Sequence, residues 1–396
     1  MTSKLSLFTA FLLAAAVMPA THAAELQLPD PLLTQSGERV TSADVWQTTR
    51  RAEVLELFRK HVYGRAPVGR PADLKFDVFD SAADAMGGKA TRKQVKITYR
   101  RPGGEGAIRL VLFIPNGAKK SAPCFLLICN RPAAANIDPT REVKSPFWPA
   151  EEIVARGYAA AAFFNGDVVA DKHDEFKSGV FAIYDTAPRP ADAWGAIAAW
   201  AWGASRALDY LVTDPAIDGK RVAVVGHSRG GKTALWAGAE DERFAMAVSN
   251  DSGCTGAALA RGKTGERIRD INKGFPHWFN ENYKRFADHE DELPLDQHML
   301  AALIAPRLLY IASASEDAWS DPKSEFLAGV HASPVYRLFG LEGLASANMP
   351  KAEAPMHDGH IGYHLRTGKH NLTEYDWSCF MDFADKHLGK PPASAQ

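Results

Sequence analysis

The stretch that decides the fold is Arg221-Val-Ala-Val-Val-Gly-His-Ser-Arg-Gly-Gly-Lys-Thr-Ala-Leu-Trp-Ala-Gly-Ala239. It opens with an apolar run, Arg221 to Val225, that reads as a strand. It continues as a helix-like run from Thr233 to Ala239. Between them stands Gly226-His-Ser228-Arg-Gly230, a G-x-S-x-G element. Strand, sharp turn and helix is the context in which this pentapeptide lifts a serine hydroxyl clear of the backbone as a nucleophile. The flanking glycines follow from the turn, because side chains there would collide with the strand or the helix.

Working outward, Ala107–Pro115, Pro123–Asn130 and Tyr158–Asn165 are apolar runs bounded by Gly, Pro or Asn, and they read as strands. Phe244–Asn250 and Leu308–Ala314 read as two more beyond the serine. Ala191 to Asp214 reads as a long helix, with Trp194, Ile197, Trp200, Ala201, Ala204, Leu208 and Leu211 on one face. Asp376 to Leu388 is the last helix, its inner face made by Trp377, Phe380, Met381, Ala384 and Leu388. Val45–Tyr63 forms the core of a partly helical N-terminal extension. Strands alternating with helices imply an α/β fold, a mainly parallel sheet covered by helices on both faces as a three-layer sandwich. Such a sheet places its chemistry at the carboxyl ends of its strands, where Ser228 stands.

The chain has 396 residues and a formal net charge of −1. No block of lysine and arginine stands out, which argues against nucleic acid and anionic membranes as partners. Lys4, the apolar run Leu5 to Met18 and Thr21-His-Ala23 have the order of an export signal, with cleavage expected after Ala23. The apolar run is too short to span a bilayer. The protein is therefore expected in the periplasm or secreted. Roughly 370 residues remain, enough for one large α/β domain. Residues 24–396 read as that domain, with an insertion near 255–306 forming part of the site wall, and the tail Lys390–Gln396 is expected to fray. The four cysteines, Cys124, Cys129, Cys254 and Cys379, are expected to be mostly free and buried. Cys124 and Cys129 lie an odd number apart on one strand and so point to opposite faces.

A serine hydroxyl needs a base to take its proton, and the base needs an acid to fix its tautomer. In strand–elbow–helix hydrolases the chain order is serine, acid, histidine. His370, in the polar loop Arg366-Thr-Gly-Lys-His370 before the last helix, is the best-placed base. Two acids qualify: Asp317, after Leu308–Ala314, and Asp251, after Phe244–Asn250. Either reaches the histidine, and both can contribute. His357, His360 and His364 have the spacing of metal ligands only on a helix. Asp358, Gly359 and Gly362 argue against one, so no metal or other cofactor is expected. Arg229 and Lys232 are cations at a helix start, where the macrodipole disfavours them. That points to a functional reason: Arg229 beside the oxyanion of a tetrahedral intermediate and Lys232 facing the same pocket.

With these residues in view, the chain resembles carbohydrate esterase family 15, the glucuronoyl esterases. The resemblance runs from Val62-Tyr-Gly-Arg-Ala-Pro67 to the final helix. It is carried by Gly226–Lys232, Ser249–Cys254, Ala314–Trp319 and Ile361–His370. It implies an α/β-hydrolase fold and cleavage of the ester joining 4-O-methyl-glucuronic acid of xylan to a lignin alcohol. It also implies Ser228 as nucleophile, His370 as base, Arg229 supporting the oxyanion, and Lys232, Glu266 and Trp319 holding the sugar ring. Members place the acid at either of the two positions found here. Many carry glutamate at the first, and the shorter Asp251 shifts the expectation toward Asp317. Two other readings compete. One is an acetyl-xylan or other carbohydrate esterase on the same fold, whose pocket needs no cation pair. The other is a non-catalytic glycan-binding homologue, which an intact Ser228 and His370 argue against. A monomer is expected.

Overall fold

A computed structural model describes residues 26–117 and 120–391. The export-type segment 1–23 and the last five residues of the tail lie outside them. The described chain folds around one nine-stranded sheet. Its strands are β1 (Lys75–Asp84), β2 (Ala90–Arg101), β3 (Gly104–Pro115), β4 (Ala122–Cys129), β5 (Ala159–Phe164), β6 (Ile217–His227), β7 (Met246–Asn250), β8 (Leu308–Ala314) and β9 (Ile361–Arg366). They lie in the order β1-β2-β3-β5-β4-β6-β7-β8-β9. The pairs β1–β2, β2–β3 and β3–β5 are antiparallel, and every pair from β5 to β9 is parallel.

Strand β4 shows why the centre of the sheet is parallel and two-sided. All eight of its residues are buried, as expected of a strand covered on both faces. Cys124, Leu126 and Ile128 enter one core and Phe125, Leu127 and Cys129 the other. The cysteine alternation therefore holds, and all four thiols are free and buried. The strands expected at Ala107–Pro115, Pro123–Asn130, Tyr158–Asn165 and Phe244–Asn250 form within a few residues of those bounds, and Leu308–Ala314 is β8 itself.

Helix α1 (Ala196–Leu211) is shorter than the run read from sequence, and it is buried all round rather than on one face. Its start is set by Gly195, where a Cβ would lie 2.2 Å from the Trp278 carbonyl oxygen. Its outer side is covered by the N-terminal segment: Trp202 Nε1 and Arg206 Nη1 both donate to Gly69 O at 2.8 Å. From the helical run 43–63, Tyr63 stacks on Trp236 with ring centroids 4.3 Å apart. Helices α2 (Arg229–Glu240), α3 (Pro322–Leu338) and α4 (Glu374–Leu388) complete the layers that position the site. No described helix is long and apolar enough to cross a membrane.

Candidate active site

Strand β6 ends at His227 and α2 begins at Arg229, so Ser228 occupies the corner between them. Its backbone has φ 58° and ψ −124°, a region that ordinary residues avoid and that costs of order 1–3 kcal/mol. The corner is held by Ser228 N–H donating to Asn250 O at 2.9 Å and by Gly231 and Lys232 N–H donating to Ser228 O. Gly226 is sterically required, since a Cβ there would lie 1.9 Å from Gly230 O. Gly226→Ala is therefore expected to cost several kcal/mol, of the order seen for overpacking or backbone strain. A thermal melt of the purified variant, or loss of soluble yield, checks this.

Three further strand ends converge on this corner. Asp251 follows β7, Asp317 follows β8, and His370 lies in the loop between β9 and α4. Oxygen or nitrogen atoms of Asp251, Asp317 and His370 all lie within 4.8 Å of one another. The His370 ring centroid is 4.4 Å from that of His227, the residue immediately before the serine. His227 is buried against Asn250, with Nδ1 2.6 Å from Asn250 Oδ1. Burial and the charge of His370 hold its pKa well below the usual range, so it stays neutral.

The two acids differ sharply. Asp317 Oδ2 lies 2.6 Å from His370 Nδ1, and Ser320 N–H donates to its other oxygen at 3.2 Å. Burial opposes the charge of Asp317, but the hydrogen bonds from His370 and Ser320 outweigh it and hold its pKa below the usual carboxylate range. Asp251 is 1 % exposed. Its Oδ2 accepts only long bonds, from Arg366 Nη2 at 3.5 Å and Asn371 N–H at 3.3 Å, and its Oδ1 has no partner. Burial, then Glu325, Asp376 and Asp317, push its pKa well above the usual range, with Arg366 only partly offsetting them. The surroundings thus disfavour charge on Asp251 and favour it on Asp317.

Arg366 is a residue that motif reading passed over. Its guanidinium donates to Asp376 and to the carbonyls of Lys369 and Asn371, pinning the backbone on either side of His370. The only sequence signal was an arginine at the start of the polar loop that holds His370. The histidines of the 357–364 run do not converge as ligands. β9 is a strand, and Tyr310 Oη sits between His357 Nε2 and His364 Nδ1, at 2.8 and 3.1 Å.

Arg229 forms an ion pair with Asp171, in the loop after β5. Its guanidinium carbon also lies 5.3 Å from the Phe275 ring centroid and 5.0 Å from that of Trp278. Its Nε is buried without a protein partner, an arrangement that ordinarily costs about 1–3 kcal/mol. Lys232 is turned inward rather than open to the pocket. Its Nζ donates to Ser252 O and Cys254 O, both at 2.6 Å, and to Glu266 Oε2 at 3.3 Å. Glu266 is partly exposed, and its backbone N–H donates to Trp319 O at 2.9 Å. Trp319 is 56 % exposed and presents an open aromatic face. A separate cleft of about 600 Å³, lined among others by Arg59, Arg70, Trp202 and Arg243, lies along the flank of α1 and contains none of these residues.

A serine on a strained strand-to-helix corner, with a hydrogen-bonded His–Asp pair delivered from later strand ends of a mainly parallel sheet, defines the class. The protein is an α/β-hydrolase-fold carboxylic ester hydrolase. Comparison with known proteins narrows this. A family model described as glucuronyl esterase, fungi, matches residues 143–340. A glucuronoyl esterase from Solibacter usitatus superposes with a TM-score of 0.85 at 40 % identity, over 91 % of this chain and 98 % of that one. A promiscuous CE15 esterase from a marine bacterial metagenome gives 0.84 at 42 % identity, over 92 % and 97 %. A 4-O-methyl-glucuronoyl methylesterase 1 of Wolfiporia cocos is 28 % identical over 80 % of this chain and 72 % of its own length. The chain belongs to carbohydrate esterase family 15.

Proposed function

We propose that the protein is an exported, monomeric glucuronoyl esterase. It hydrolyses the ester between (4-O-methyl-)glucuronic acid of glucuronoxylan and a lignin alcohol through an acyl-enzyme on Ser228. The observation that carries this reading is the His370 Nδ1–Asp317 hydrogen bond of 2.6 Å beside a serine at φ 58°. The relatives' names support the acyl group, and the leader-like segment ending at Ala23 supports export.

The geometry supports the following chemistry. Asp317 fixes the His370 tautomer with the proton on Nδ1, which leaves Nε2 to take the serine proton. The Ser228 oxygen attacks the ester carbonyl carbon, and the carbonyl oxygen becomes an oxyanion. The Arg229 backbone N–H, in the first turn of α2, and the unpartnered side-chain Nε–H are the donors available to that charge. Collapse breaks the bond to the alcohol, which leaves with the proton held on His370. Water, deprotonated by His370, then cleaves the acyl-enzyme and releases glucuronic acid. Glu266, aligned by Lys232, accepts from the sugar hydroxyls, and Trp319 covers a face of the ring.

Benzyl glucuronate and an acetylated xyloside, assayed side by side, test the acyl specificity. The glucuronate ester is expected to be consumed and the acetyl ester left nearly untouched. The reverse result would transfer the protein to the acetyl-esterase reading. Binding of glucuronoxylan without turnover of either ester would mark a glycan-binding homologue.

A further inference from the structure

Arg229 is held from outside its own helix. The Asp171 carboxylate receives three donors: Arg229 Nη1 on Oδ2, and on Oδ1 His277 Nε2 at 2.9 Å and Trp278 Nε1 at 2.8 Å. Burial works against its charge, yet the bonds from His277 and Trp278 and the charge of Arg229 bring its pKa down to about 2. It is therefore an anion at any working pH. The rings of Phe275 and Trp278 stack at 3.8 Å, 5° from parallel, and form an aromatic wall against the guanidinium. That wall is itself fixed, because the first N–H groups of α1, from Ala196 and Ile197, donate to the carbonyls of His277 and Trp278.

Two consequences follow. With Nη1 held by Asp171 and the guanidinium packed on the rings, the arginine keeps one orientation, in which its buried Nε–H has no protein partner. The two cations of the nucleophile helix are also each matched by a carboxylate, Arg229 by Asp171 and Lys232 by Glu266. At these two positions a neutral ester meets balanced charge, and the carboxylate product gains no unmatched cation from α2 to bind.

The geometry points to Asp171 as a positioning residue that fixes the Arg229 guanidinium for the transition state and cancels its charge toward the acidic product. This rests on the reading of Arg229 as an oxyanion donor.

The test is a double-mutant cycle of Asp171→Asn and Arg229→Ala, with kcat and KM for benzyl glucuronate and the inhibition constant of free glucuronate as readouts. Arg229→Ala is expected to lower kcat about 10²- to 10³-fold. Asp171→Asn is expected to lower kcat about 10- to 10²-fold with little change in KM, the scale of a misplaced group. It should have no further effect in the Arg229→Ala background. Asp171→Asn should also bind glucuronate several-fold more tightly, a gain that a merely structural role would not produce. An unchanged kcat in Arg229→Ala would remove the oxyanion reading, and this proposal with it. A large effect of Arg229→Ala, combined with additive losses or unchanged glucuronate inhibition in Asp171→Asn, would overturn the proposal alone. Should Asp171→Asn fail to fold, Trp278→Phe removes one donor to the carboxylate while keeping its charge. It is expected to lower kcat only when Arg229 is present, and an equal loss in both backgrounds would overturn the proposal.

Discussion

Ser228→Ala is expected to abolish hydrolysis of benzyl glucuronate, lowering kcat by about 10⁴-fold or more, as loss of a serine nucleophile does in other hydrolases. The fold should survive the change. The corner that holds Ser228 is built from backbone groups, Asn250 O and the N–H groups of Gly231 and Lys232, and from glycines at 226, 230 and 231. None of these needs the hydroxyl. Alanine keeps a Cβ at φ 58°, so it retains the strain and should melt within a degree or two of the wild type. Ser228→Gly should be as inactive but more stable by about 1 kcal/mol, because glycine adopts this backbone without the steric cost. Thermal melts of the two variants beside the activity assay check both halves. Full activity in Ser228→Ala would place the nucleophile elsewhere, and a less stable glycine variant would show that the corner is not strained.

Asp317→Asn should lower kcat by about 10³- to 10⁴-fold, whereas Asp251→Asn should change it only several-fold. The difference follows from which carboxylate meets the imidazole and has its charge favoured by its surroundings. An amide at 317 presents its oxygen or its NH₂ to His370 Nδ1, and either way it no longer compensates the imidazolium formed during attack. Asp251 makes only long bonds through Oδ2, and its pKa is raised by burial and by the surrounding carboxylates. The sign for stability is therefore fixed. A carboxyl whose folded pKa is raised holds its proton in the native state while the unfolded chain releases it, so its stability contribution falls as pH rises above the unfolded value of about 4. Asp251→Asn removes that loss. The variant should match wild type in melting temperature near pH 4 and exceed it near pH 8. A collapse of activity in Asp251→Asn, with Asp317→Asn nearly intact, would exchange the roles of the two acids.

Much of the central sheet was legible because it is written locally. β4 and β5 are continuous apolar runs bounded by Gly, Pro or Asn, β7 and β8 are apolar but for a polar residue or two, and burial on both faces makes such runs obligatory. The elbow was legible for the same reason, since its glycines and serine are neighbours in the chain. Strands β1 and β2 were passed over. β1 lies at the sheet edge with a mostly exposed, charged sequence, and β2 carries only the short alternation Val95, Ile97, Tyr99 among basic residues. α3 was also missed, although the Asp321 side chain caps it by accepting from Ser324 N–H and Pro322 opens its first turn. Its polar and apolar residues are mixed, because its surface meets both the sheet and the segment before β9.

By itself the sequence determined the strand-to-helix corner at Ser228, singled out His370 before the last helix as the candidate base, and left a short list of candidate acids and cations. Each of these depends on residues a few positions apart. Only the tertiary structure decided that His370 meets Asp317 rather than Asp251, that Lys232 turns inward to Glu266, and that Asp171 holds Arg229. These pairs lie 53, 34 and 58 residues apart along the chain. Side chains so far apart meet only through strand order and loop paths, and those are fixed by packing the whole sheet rather than by any local pattern.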